Sequence, residues 1–130
     1  LRTILFIDDS SIMRASIPPT LRKQDFEVIE ACDGVDALEK LNSGLKPDII
    51  ITDLNMPNMD GLTFVKEARK MRTLRFVPIY VLTTEKKQEK QDEVRAAGAT
   101  GWFTKANFRD ELFEVLKKVC VPTGAYTCRA

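Results

Sequence analysis

The chain has no histidine among its 130 residues, which removes imidazole acid–base catalysis and most zinc sites at once. Cysteine is scarce and unpatterned: Cys32, Cys120 and Cys128 are an odd number without metal-ligand spacing. Three such thiols argue for a reducing compartment, with neither a disulfide framework nor a metal cluster. An excess of one charge is missing too, since 20 Lys and Arg stand against 19 Asp and Glu. The net charge of +1 gives no global pull towards nucleic acid or an anionic membrane. No apolar run reaches the roughly 18 residues of a spanning helix, and no charged-then-apolar leader opens the chain. These lacks leave a cytoplasmic globular protein as the expectation. The start at Leu1 rather than Met leads us to expect a chain trimmed from a longer one.

What is present is an alternation of short apolar runs with longer helical patterns. Residues 4–7, 26–29, 49–51, 77–82 and 101–103 read as strands, the third of them ending at Thr52-Asp53. Ser10 can cap a helix to about Lys23, and Asp33 one with Val35, Leu38 and Leu41 on a single face. Leu62, Val65, Ala68 and Met71 mark a third helix. A very polar fourth runs from about Glu85 to Ala97, where Gly98 ends it, and Phe108 to Val119 mark a fifth. Pro18-Pro19 conflicts with this picture. An interior proline costs about 3 kcal/mol, so the first helix should bend there or stop short. Strands apolar enough to be covered on both faces, separated by helices, predict a doubly wound parallel α/β sheet in a single domain. Residues 1–121 form that domain in this reading, and 122–130 a C-terminal tail.

In such sheets ligands sit beyond the carboxyl ends of the strands. Strand one ends in Asp8-Asp9, strand three in Asp53 and strand four in Thr83-Thr84, while strand five leads to Lys105. Clustered carboxylates repel, and the natural remedy is a hard divalent cation with oxygen ligands, Mg²⁺ suiting one or two carboxylates, waters and phosphate. A carboxylate is also a competent nucleophile towards a phosphoryl group, with a hydroxyl and an ammonium as donors to its oxygens. Singly, each residue has a plainer reading as turn former, helix cap, strand end or surface lysine. Four strand ends aimed at one place make those plainer readings poor as a set.

These residues, in this order, resemble the receiver domain of two-component response regulators, the CheY-like family. The resemblance covers about residues 3 to 120. It rests on Ile7-Asp8-Asp9-Ser10, on Asp53-Leu54-Asn55-Met56-Pro57 with Met59-Asp60-Gly61, on Thr83 and on Lys105. It implies a flavodoxin-like (βα)5 fold with strand order 2-1-3-4-5. It also implies that Asp53 is the phosphorylated nucleophile and that Asp9 contacts Mg²⁺ directly. Asp8 would act largely through water, the Asn55 backbone carbonyl would be a further ligand, and Thr83 and Lys105 would hold phosphoryl oxygens. Trp102 matches the aromatic switch position of the family. The helix before it, strand five and the last helix would form the face that switches and meets partners. Lys86 and Lys87 lie where such proteins carry basic contacts. The family's partners are a cognate histidine kinase as phosphodonor and a downstream protein such as a flagellar switch or relay protein, with no direct contact to nucleic acid or membrane. Receivers are phospho-acceptors that gain and lose the group autocatalytically, and so are not enzymes acting on other substrates.

Asn55 and Glu85 match the pair in CheY that influences hydrolysis, so a short-lived phosphoryl group is expected. One departure stands out: Ala106 follows Lys105 where the family has a cis proline. A cis bond before Ala costs about 3–4 kcal/mol, so a trans or strained bond is expected there. A stand-alone CheY-like protein is favoured over a receiver cut from a multidomain regulator. A flavodoxin-type module is disfavoured because Asp8-Asp9 would repel a phosphate. An aspartyl-phosphate phosphatase would need a second Asp where Asn55 stands. The basic residues Lys66, Arg69, Lys70, Arg72 and Arg75 read as helix solvation and C-terminal charge rather than a nucleic-acid surface.

Overall fold

A computed structural model of the chain describes residues 2–83 and 88–104. Five strands, β1 (Arg2–Ile7), β2 (Phe26–Ala31), β3 (Ile49–Asp53), β4 (Ile79–Thr83) and β5 (Gly101–Thr104), form one parallel sheet in the order β2-β1-β3-β4-β5. Four helices occupy the connections: α1 (Ser11–Arg22), α2 (Gly34–Asn42), α3 (Gly61–Arg69) and α4 (Gln88–Ala97). A single 3-10 turn (Arg72–Leu74) precedes β4. The helix expected over residues 108–119 and the tail at 122–130 lie outside the described residues.

Period-two alternation along the strands divides the core into two layers. Leu5, Ile7, Ile50, Ile79 and Val81 face α2, α3 and α4 through Ala37, Leu41, Phe64, Val65, Ala68 and Val94. Ile4, Phe6, Ile49, Ile51, Leu82 and Phe103 face the other way, towards Ile17 and Leu21 of α1. Tyr80 and Phe103 stack on that second face with ring centroids 5.0 Å apart. Burial on both faces explains why these strands read as continuous apolar runs. On the outer side of edge strand β2, Arg22 donates to the Val28 carbonyl at 2.9 Å and pairs with Glu30 at 3.2 Å.

The caps follow the expected chemistry. Ser10 accepts from the Met13 amide at 3.3 Å, and Asp33 from the Asp36 amide at 2.8 Å. Asp60, quoted in the motif but not read as a cap, does the same for α3 through the Thr63 amide at 2.7 Å. Several details differ from the sequence reading. Helix α1 runs through Pro18 and Pro19 to Arg22 without stopping short; Ile17, Pro18 and Leu21 are buried, and that burial offsets the lost backbone bonds. On α2 the buried positions are Ala37 and Leu41, whereas Val35 is exposed. Met71 lies beyond α3, whose buried face is Phe64, Val65 and Ala68. Strands β2, β4 and β5 all extend further towards their carboxyl ends than expected, and β4 starts at Ile79 rather than Val77.

Candidate functional site

The parallel sheet delivers its carboxyl ends to one edge of the molecule. Asp8 follows β1 directly and Asp53 is the last residue of β3, and the two strands are hydrogen-bonded neighbours. Asp8 and Asp53 are buried, with 0% and 3% of their surface exposed, and Asp9 is exposed. One carboxylate oxygen from each of the three lies within 4.8 Å of the others. Local amides orient two of them: Ser10 N–H donates to Asp8 Oδ1 at 2.9 Å, and Leu54 N–H to Asp53 Oδ1 at 2.9 Å.

Thr83 ends β4 and is buried; its neighbour Leu82 pairs in register with Asp53, so the hydroxyl belongs to the same edge of the sheet. Asn55 lies two residues past Asp53 in an exposed loop. Trp102 sits on β5 opposite Val81, half-buried against the core, with the Arg95 guanidinium 4.8 Å from its ring centroid. Lys105 follows β5 in the sequence and lies outside the described residues. So do Thr84, Glu85, Lys86, Lys87 and Ala106, and with them the expectations about phosphoryl lifetime, basic partner contacts and the bond before Ala106.

Three carboxylate oxygens this close, two of them from buried residues, are a costly assembly without a compensating cation. All the donors are oxygen, which suits a hard divalent ion and excludes the softer metals that favour thiolate or imidazole. The residues present fit Mg²⁺.

Two features beside the acidic cluster gain their physical reason from the structure. Gly61 opens α3 so close to β3 that a Cβ there would stand 2.3 Å from the Asp53 carbonyl oxygen, and its amide donates to the Leu54 carbonyl at 2.7 Å. Glycine alone permits that approach. Asp33, read only as a cap, also accepts from the Asn58 side-chain amide at 2.8 Å through its second oxygen. The Asp36 amide first, and then Asn58, hold the Asp33 carboxyl below the usual carboxylate range. Asp36 is likewise held low, chiefly by the Lys40 ammonium at 2.7 Å. Next to this pair, the thiol of the exposed Cys32 is pushed up by partial desolvation and by the charges of Asp33 and Asp36. Asn58 has a φ of 67°, a region that Asn tolerates; its place in Pro57-Asn58-Met59 was the available signal.

Comparison with known proteins gives the class. Residues 4–117 match the model of the response regulator receiver domain. Over 117 residues the chain is 38% identical to chemotaxis protein CheY1 of Helicobacter pylori, covering 89% of this chain and 94% of that protein. It is 37% identical over 118 residues to the sensor histidine kinase CheAY of the same species, which is 88% of this chain but only 14% of the kinase. Among solved structures, the chemotaxis response regulator CheY4 of Vibrio cholerae superposes with a TM-score of 0.84 at 40% identity, covering 92% of this chain and 98% of that one. The receiver domain of a Pseudomonas aeruginosa PAO1 sensor histidine kinase, solved with a magnesium ion coordinated in its active site cleft, gives 0.81 at 27% identity, with 90% and 95% covered. The chain belongs to the response regulator receiver domain family and takes part in two-component signalling.

Proposed function

We propose that Asp53 accepts a phosphoryl group from a histidine kinase in a Mg²⁺-assisted reaction, and that the chain signals by a change at its α4–β5 face. The observation that carries this is the convergence of one oxygen each from Asp8, Asp9 and Asp53 within 4.8 Å at the carboxyl ends of β1 and β3. Asp8, Asp9, Asp53 and the backbone carbonyl of Asn55 would hold the ion, which when bound neutralises negative charge on the incoming phosphate and the carboxylates. An Asp53 carboxylate oxygen attacks phosphorus, the bond from phosphorus to the donor breaks, and the donor leaves with its electron pair. Thr83 Oγ1 and the Lys105 ammonium donate to the oxygens of the transferred group. The Leu54 amide fixes the Asp53 carboxylate in its orientation beforehand.

The chain acts as a phospho-acceptor and not as an enzyme turning over other substrates, and it works in the cytoplasm. Among the described residues, no helix is long and apolar enough to cross a membrane. Similarity to a chemotaxis protein favours a CheY-like component whose output partner is a flagellar switch or relay protein. The match to a small part of a kinase supports the second reading, a receiver severed from a larger regulator.

The test is incubation with acetyl phosphate, with and without Mg²⁺, read by intact mass. The chain should gain the mass of one phosphoryl group, Asp53→Asn should gain none, and removal of Mg²⁺ should nearly abolish the gain. Phosphorylation of the Asp53→Asn variant to the wild-type level would end this reading.

A further inference from the structure

We propose that Asp33 and Asn58 are a positioning pair that sets the metal affinity of the acidic pocket without touching the ion. The inference rests on the metal-assisted reading above and adds two residues that it does not use.

Residues 54–60 carry the Asn55 carbonyl between β3 and α3, and Asn55, Pro57, Asn58 and Asp60 are all exposed. Leu54 is buried and Met56 and Met59 pack half-buried against the core, so the exposed stretch at Pro57 and Asn58 is the part that apolar contact holds least. The loop's ends are closed by the bond from Gly61 N–H to the Leu54 carbonyl. Its middle is tied by Asn58 Nδ2 donating to Asp33 Oδ2 at 2.8 Å. The anchor itself is firm: Asp33 is 8% exposed, and its other oxygen accepts the Asp36 amide at 2.8 Å, so the first turn of α2 fixes the carboxylate. A second contact lies beside it, where the Met59 side chain comes within 3.0 Å of the place a Cβ on Gly34 would take. Asn58, at positive φ, is the point where the loop bends, and its amide ties that bend to another helix. Partners that hydrogen-bond a ligand directly commonly change metal affinity by about 10–100-fold when removed, and a tether three residues from the Asn55 carbonyl should fall at or below the low end of that range.

The test is calorimetric titration of Mg²⁺ into the purified full chain and three variants, with circular dichroism confirming the fold of each. In Asp33→Asn the side-chain oxygen can still accept the Asp36 amide and cap α2, while Asn58 keeps a bond only by turning its amide over, and that bond is neutral rather than charge-assisted. Its Kd should rise about threefold. Asn58→Gly suits the backbone, removes the amide altogether and changes no charge, and its Kd should rise about tenfold. Asp33→Asn with Asn58→Asp exchanges donor and acceptor, and its Kd should return to within about twofold of wild type.

Wild-type affinity in Asn58→Gly overturns the tether. So does a double variant no better than Asp33→Asn, since the charge of Asp33 alone would then explain the loss. Should Asp33→Asn fail to fold, Asn58→Gly decides, because it leaves the α2 cap intact. A wild-type chain that does not bind Mg²⁺ removes the metal site and the tether together, whereas a binding wild type matched by all variants removes only the tether.

Discussion

Helices α3 and α4 are nearly equal in length, nine and ten residues, but the core holds them differently. The first buries Phe64, Val65 and Ala68 completely. Among its described side chains, the second buries Val94 fully and Ala97 at its end, while the rest are exposed or partly so. Cationic groups supply much of what remains. Arg69, at the end of α3, donates to the Gly98 carbonyl at 2.8 Å just past α4, and to the Leu74 and Val77 carbonyls at 2.6 and 2.7 Å. Arg95 of α4 lies over Trp102 of β5. A helix fixed along its length by apolar burial cannot shift without losing core, whereas one whose described core contacts are Val94 and Ala97, with charges near its end, can. That difference suits α3 to framing the acidic pocket and α4 to responding.

The contrast can be broken by mutation. Phe64→Ala should cost about 3–5 kcal/mol, and Val94→Ala about 2 kcal/mol, measured by urea unfolding. Equal costs would mean that α4 is anchored as firmly as α3. Arg69→Met keeps the apolar stem and removes the guanidinium, which burial already disfavours in its charged form. We expect a loss of about 2 kcal/mol, with faster amide exchange at Gly98 and Ala99 than in α3. Asp33→Ala should cost about 1 kcal/mol for the cap and flatten the acid limb of the stability profile. The carboxyls of Asp33 and Asp36 titrate lower in the folded chain than in the unfolded one. Their contribution is therefore present above the unfolded value of about 3.9 and fades as pH falls through the lower folded values. Removing either group should make stability less dependent on pH below about 4. The smallest change is Lys70→Met, which breaks an exposed pair with Glu67 at 2.8 Å and should shift stability by less than about 0.5 kcal/mol.

The strands and the acidic cluster were legible because both depend on patterns that survive in one dimension. A strand buried on two faces must be apolar throughout, and a parallel sheet must send the residues after β1 and β3 to the same edge. Side-chain choice at the helix–sheet interface was less legible. The reading of α2 favoured the larger Val35, yet the turn places the small Ala37 against the sheet. Phe64 went unmarked because a Leu, Val, Ala and Met pattern already satisfied the period. The two prolines in α1 carried a local penalty that tertiary burial outweighs. Arg69 was hidden in a basic run, where a clamp on four carbonyls and a solvated helix end look alike. Nothing in the sequence spacing links Asp33 to Asn58, since that contact exists only once two loops meet.

The bond from Arg22 to the Val28 carbonyl has a consequence for how copies of the chain meet. An outermost strand with open backbone groups invites another molecule to extend the sheet, the first step towards ordered aggregates. Here a guanidinium already occupies one of those acceptors on β2, and Glu30 pairs with it at 3.2 Å. Growth by strand addition on that flank would first have to break the Arg22 bond and is disfavoured accordingly.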